Sequence, residues 1–246
     1  MLFISLAASA GATTITILPA SSVVNADAEE NAWILSNFGS NFNADILETF
    51  EGFTASDQTG YSSLSTGVGT FSVTPGSQPG SPTQSNGTKK DQFTILDSAD
   101  TPFSGRYNTT PGGNNWLDSN DITGIQLSTS LDTLVFMITD VNDCGGTLTI
   151  KTADGTTSSA FAPYPTAKDG NLYFVAITSS SPIGSVKFLN NSTNDGFGLD
   201  DFGTVVDPPP PPAPTPEPGT LSIAAIGLIS IALFRKYKAS RLGTRV

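Results

Sequence analysis

The sequence predicts an all-β fold, an antiparallel two-sheet sandwich of jelly-roll type, with a C-terminal single transmembrane helix. Three observations carry this prediction. Short apolar or alternating segments recur through the body of the 246-residue chain, separated by Gly, Pro, Asn, Asp or Ser turn signals roughly every 8 to 15 residues. No stretch of the body shows a convincing 3.6-residue amphipathic stripe. Nothing repeats at a fixed period, which argues against a solenoid or propeller. An immunoglobulin-like sandwich is the nearest alternative.

Taken in order, residues 1–28 read as a secretory leader. An apolar start gives way to Ala, Thr and Ile, then to Pro19 and small residues, with Ala26-Asp27-Ala28 as a small-x-small cleavage site. The segment has no Lys or Arg, so the leader is read as beginning upstream of Met1. Residues 29–206 are assigned to the sandwich. Glu29 to Asn43 carries Trp33, Ile34, Leu35 and Phe38 and suits a short helix or an irregular lead-in. Asp45 to Phe53 alternates well enough for a first strand. Further strands are expected at Gly69–Val73, Gln92–Leu96, Ile122–Leu127, Leu131–Asp140, Thr147–Thr152, Asn171–Ile177, Ile183–Leu189 and Phe197–Val205. Leu134 to Ile138 is entirely apolar, which predicts a central strand buried on both faces. Gly105 to Asp121 reads as a polar, aromatic-bearing loop.

Residues 207–215 are a proline-rich stalk, since five consecutive prolines from Pro208 can neither donate ladder hydrogen bonds nor bury a core. Residues 216–246 begin with Pro216, Glu217 and Pro218, continue through an uncharged, mostly apolar run from Leu221 to Phe234, and end with the cations Arg235, Lys236, Lys238, Arg241 and Arg245. At ~1.5 Å per residue that run makes a helix of about 21 Å, short of a ~30 Å hydrocarbon core. The basic cluster is a stop that holds a helix end on the cytoplasmic side. Tripeptide, helix and basic stop in this order resemble the PEP-CTERM sorting signal of bacterial exosortase substrates. The resemblance implies membrane translocation, an exosortase-type membrane protease as partner, membrane attachment through the C-terminal helix until processing, and delivery to the cell surface or beyond.

Composition narrows the chemistry. Residues 1–216 hold six basic against twenty-one acidic residues, a net charge of −15, and so would repel nucleic acid. The chain has one cysteine, Cys144, and no histidine. The usual zinc sites and the Ser/His/Asp and Cys/His machinery therefore lack a member. Cys144 is read as a small buried apolar residue. Asp140-Val-Asn-Asp-Cys-Gly-Gly146 approaches a calcium loop but has Cys at its fifth position and no acid at its twelfth, so it reads as a turn. No pair of carboxylates is singled out for hydrolysis, and no catalytic residue is assigned.

Two candidate sites remain. The strand at Glu48 to Phe53 and the stretch Asn194 to Phe202 together resemble bacterial jelly-roll carbohydrate-binding modules whose first and last strands lie side by side. That resemblance implies a structural calcium between Glu48 or Glu51 and Asp200 or Asp201; the alternative has the two aspartates on an edge strand, facing water. Tyr107, Asn114, Asn115, Trp116 and Asp118 would offer a sugar an aromatic platform with hydrogen-bonding neighbours, unless Trp116 tucks into the core. The function expected is that of a non-enzymatic exported surface or extracellular-matrix protein. The alternative is a module that holds secreted exopolysaccharide.

Overall fold

The computed structural model describes residues 12–81 and 89–207. They form two packed antiparallel sheets. The first runs β1 (Thr14–Ala20), β12 (Leu172–Thr178), β9 (Thr133–Thr139), β14 (Gly198–Val206), β7 (Trp116–Asp118), β6 (Phe93–Leu96) and β3 (Gly60–Tyr61), with β2 (Asn43–Glu48) also on β14. The second runs β11 (Thr157–Ser158), β10 (Leu148–Thr152), β13 (Gly184–Asn190), β8 (Gly124–Thr129), β5 (Gly69–Val73) and β4 (Ser63–Thr66). Each expected strand of the body has a counterpart here, with ends shifted by a few residues.

The core between the sheets follows the period-2 rule. Leu134, Phe136 and Ile138 of β9 and Tyr173, Val175 and Ile177 of β12 point inward, where they meet Ile125 and Leu127 of β8 and Val186 and Phe188 of β13. Phe136 stacks on Phe202 at 4.8 Å, and Phe71 meets Phe202 edge-on at 5.2 Å. Offset and edge-to-face pairs of this kind add about 0.5–1.5 kcal/mol each beyond the area they bury.

The opposite face of β9 and β12 is buried as well, by a helix that starts six residues before the short helix expected from Glu29. Helix α1 (Val23–Asn37) starts at Ser22, whose hydroxyl accepts from the Asn25 amide at 3.3 Å. It is closed by Gly39 at φ +102°, the left-handed conformation that commonly ends helices. Ala26, Trp33 and Ile34 cover Val135, Met137, Leu172, Phe174 and Ala176. This helix is the reason why Leu134 to Ile138 can be apolar at every position.

The downstream half of the span read as a leader, residues 1–28, is placed within the fold. β1 pairs with β12 over seven residues, from Thr14 opposite Thr178 to Ala20 opposite Leu172. Ala26, the first residue of the expected cleavage site, lies in α1 and is wholly buried against the sheet. Cleavage after Ala28 would remove β1 from the β12 edge and cut α1 within its packed stretch. Among the described residues no helix is long and apolar enough to cross a membrane. The stalk and the C-terminal apolar run lie outside the described residues.

Candidate functional site

The segment from Gly105 to Asn115 is the hub of the polar structure. It is a strap laid across one end of the eight-stranded sheet, and its side chains and amides bind acids contributed by five other parts of the chain. Arg106 enters the interior and donates to Asp118 at 3.1 Å, Asp121 at 2.5 Å and Asp140 at 3.3 Å. Its guanidinium carbon also sits 4.0 Å from the Phe103 ring centroid. Burial opposes the Arg106 charge, but the three aspartates outweigh it and hold the group firmly protonated. Burial pushes Asp118 up against the pull of Arg106. Asp140 rises to about 7, through burial first, with Arg106 again opposing.

Three residues further on, the strap meets β14. The Thr109 and Thr110 amides donate to Asp200 at 2.7 and 3.2 Å, and the Thr109 and Thr110 hydroxyls donate to Asp201 at 2.8 and 2.5 Å. Consecutive residues of a regular strand point to opposite faces. Here the register of β14 shifts between Asp200 and Gly203, and Asp201 adopts φ +52°, so both carboxylates reach the same strap. β14 lies between β9 on one side and β7 and β2 on the other. The reading that put the two aspartates on a water-facing edge strand is therefore wrong: Asp200 is 1% exposed and Asp201 8%. Burial, then the neighbouring Asp201 charge, pushes Asp200 up to about 8.

The end of the strap is held by Glu51, whose Oε1 accepts from the Asn114 amide at 2.6 Å, the Asn115 amide at 2.8 Å and the Asn108 side chain at 3.2 Å. Helix α1 adds Glu30, raised to about 7 by burial and by the Asp201 and Asp27 charges. Asp27, Glu30 and Asp201 share the lining of a recess of about 270 Å³ with Ile46, Pro111 and Met137. Among the described residues neither Asp200 nor Asp201 pairs with a lysine or arginine.

The expected calcium ligands thus separate into two groups. Asp200 and Asp201 are adjacent on β14 and Glu51 acts on Asp201 electrostatically, but among the described residues the acids whose oxygens converge closely enough to share an ion are Asp140, Asp143 and Asp169 rather than these. Glu48 does not join them. Its carboxylate accepts from the Phe50 amide at 2.7 Å and the Gly67 amide at 3.2 Å, which ties β2 to the β4–β5 turn.

The expected sugar platform is not formed. Trp116 is 1% exposed, packs with Leu96 and Phe103, and belongs to a strand rather than a loop. Asp118 is wholly buried on Arg106, and Asn115 donates its side chain to the Phe50 and Phe53 carbonyls at 3.2 and 2.9 Å. Tyr107 is half-buried with its hydroxyl on the Gly170 carbonyl at 3.3 Å. Asn114 is exposed, but its amide is held by Glu51. A polar, Asn-rich and aromatic stretch reads as a ligand loop because sequence alone does not show which side chains are already occupied.

Around the Asp140 to Gly146 turn, Asp195 accepts from the Cys144 and Gly146 amides at 3.2 and 2.5 Å. Asp140, Asp143 and Asp169 each place one oxygen within 4.8 Å of the others, although Asp140 is already engaged by Arg106 and by the Gly170 amide at 3.1 Å. Cys144 is exposed, contrary to the expectation of burial, and its thiol is pushed up to about 11, by desolvation first and then by Asp143. The functional residues absent from the sequence reading are Arg106, Thr109, Thr110, Asp27 and Glu30. A lone arginine in an acidic body is the one signal that pointed to any of them.

A family model for the PEP-CTERM protein-sorting motif matches residues 214–236. Pro216, Glu217, Pro218, Arg235 and Lys236 fall inside the match and Lys238 just beyond it; all lie outside the described residues. No curated protein matches the chain. Among solved structures the chain is similar to the N-terminal CBM22-1-CBM22-2 tandem domain from Paenibacillus barcinonensis Xyn10C, at 15% identity and TM-score 0.31, covering 68% of this chain and 48% of that one. It is likewise similar to the CBM22-1 xylan-binding domain of the same protein, at 14% identity and TM-score 0.32, covering 66% of this chain and 94% of that one. Likeness at this level carries no argument about a ligand.

Proposed function

We propose that this chain is an exported, non-enzymatic surface or matrix protein, handled by an exosortase-type membrane protease and displaying an acidic β-sandwich. The observation that carries the reading is the sorting motif at residues 214–236, followed closely by a basic stop. The non-enzymatic part draws support from the acid geometry. Asp118, Asp121, Asp200, Asp201 and Glu51 act as hydrogen-bond acceptors that hold one strap in place. Mass spectrometry of the protein from its host tests delivery: a mature form ending near Pro216 supports the reading, and a full-length C-terminus at the surface removes it. Efficient polysaccharide hydrolysis by the purified chain would overturn the non-enzymatic part.

A divalent cation near Glu51, Asp200 and Asp201 belongs to the same proposal, without Glu48, and would have to draw these carboxylates closer than they stand. Its role would be to neutralise buried acids that have no basic partner among the described residues. Melting with calcium and with chelator measures this, because a cation bound only by the folded form raises the midpoint. An unchanged midpoint speaks against it. Retention of exopolysaccharide remains the second reading, favoured by the open face of the six-stranded sheet rather than by the strap.

A further inference from the structure

The outer face of the six-stranded sheet is chemically unlike the rest of the molecule. Its inward positions, among them Leu64, Phe71, Ile125, Leu127, Ile150, Val186 and Phe188, are buried in the core. The alternate positions, the buried Gly124 apart, are open to solvent in greater or lesser degree. None of the six strands contains an aspartate or a glutamate, in a chain with 22 of them. Two of the six basic residues that precede the C-terminal tail, Lys151 and Lys187, lie on this face and are direct cross-strand partners.

Facing ammonium groups repel each other, and like charges opposite one another destabilise a sheet. A position in which two of the few available lysines oppose each other is explained by a ligand that neutralises both. The row continues through Gln126, Ser72 and Ser63, each the register partner of the one before, starting from Lys187. The adjacent row is Ser185, Ser128, Thr70 and Ser65. Ser128 and Thr70 also line an open recess of about 470 Å³ together with Thr66, Thr129 and Ser130. The nearby turn acid Asp154 is engaged by Thr152 and by the Thr156 amide.

We infer that this face is a docking surface for an extended, carboxylate-bearing polysaccharide, with Lys151 and Lys187 as its charge contacts and the hydroxyl rows as its hydrogen-bonding floor. Charge complementarity selects the polyanion. The hydroxyl and amide rows match sugar hydroxyls, and the face offers no aromatic ring on which a nucleobase or an uncharged sugar could stack. The inference rests on the polysaccharide-retention reading and gives it a ligand class and a location.

The test titrates the full chain, kept in solution with mild detergent, against polygalacturonate. In parallel it uses the same polymer fully methyl-esterified, which keeps the backbone and removes the charge. Binding to the charged polymer should weaken with added salt and fall roughly five- to tenfold for each lysine removed in Lys151→Gln and Lys187→Gln. Melting of the double variant, unchanged or slightly raised, shows that the fold is intact. Equal affinity of wild type and double variant, equal binding of both polymers, tighter binding of single-stranded DNA, or no binding of polygalacturonate overturns the inference. Glycan binding that survives the double variant would keep the retention reading and discard this face. Processing at the sorting motif is read separately.

Discussion

The two sheets share one core but meet their surroundings in opposite ways. The eight-stranded sheet carries Asp45, Glu48, Asp118, Asp200 and Asp201 within its strands, lies under α1, and is crossed at one end by the Gly105 to Asn115 strap. The six-stranded sheet has no acid in any strand and an outer face of hydroxyls, one glutamine, two lysines and Leu189. Covering a sheet demands partners for whatever polar groups are trapped beneath, so acids collect where a strap or a helix supplies donors. An uncovered sheet has no such demand, and its outward residues are free to answer to a ligand. Acidity in this chain therefore marks construction more than chemistry, and the acid-poor face is the better place to look for recognition.

That contrast can be broken most severely at α1. Trp33→Ala should cost about 3–5 kcal/mol, because it empties a buried aromatic site over Phe174; denaturant unfolding measures it, and a wild-type midpoint would mean that the helix does not cover the sheet. Arg106→Met should cost a similar ~3–5 kcal/mol, since it leaves Asp118, Asp121 and Asp140 buried without their cation. If that variant is as stable as wild type, the strap is not held electrostatically.

The dependence on pH sharpens the comparison further. Asp200, Glu30 and Asp140 have folded-state values of about 8, 7 and 7, above their ordinary 3.8, 4.5 and 3.8. The folded form therefore holds protons that the unfolded form has released, and stability must fall as pH rises from about 4 to about 8. Melting at pH 5 and pH 8 should show the drop, and Asp200→Asn should shrink it; a flat profile would show that these acids are ionised in the fold. The smallest effect belongs to the other sheet. Ser72→Ala and Thr149→Ala, on its open face, should each stay within about 0.5 kcal/mol of wild type, and a larger loss by the same unfolding assay would show that this face is covered.

Much of the fold was legible because strands announce themselves through period-2 burial. Ile183 to Leu189 was readable for that reason, whereas Leu131 to Asp140 was readable as a short unbroken apolar run buried on both faces. β1 also alternates, Thr-Ile-Thr-Ile, yet its apolar content and its position made it look like a leader. Helix α1 was legible only in its second half, as the short helix that Glu29 to Asn43 suits, because just Ala26, Trp33 and Ile34 are both apolar and buried, too few to draw a stripe back to Val23. The strap was legible as a loop and illegible as an interlock. Thr109 and Thr110 carry no signature in isolation, and their role arises only when a shifted register in β14, some ninety residues away, turns two successive aspartates toward them.

The central place of β14 bears on timing. A chain that crosses a membrane amino end first, as the proposed export requires, releases β1 early and β14 last of all its strands. Yet β14 is the strand that joins β9 to β7 and β2 and receives the strap. The eight-stranded sheet cannot close until Val206 has emerged, and only residues 207–215 then separate it from Pro216. Completion of the domain and arrival of the sorting tripeptide at the membrane thus become nearly one event, so a protease acting at that moment meets a substrate whose cargo has just become whole.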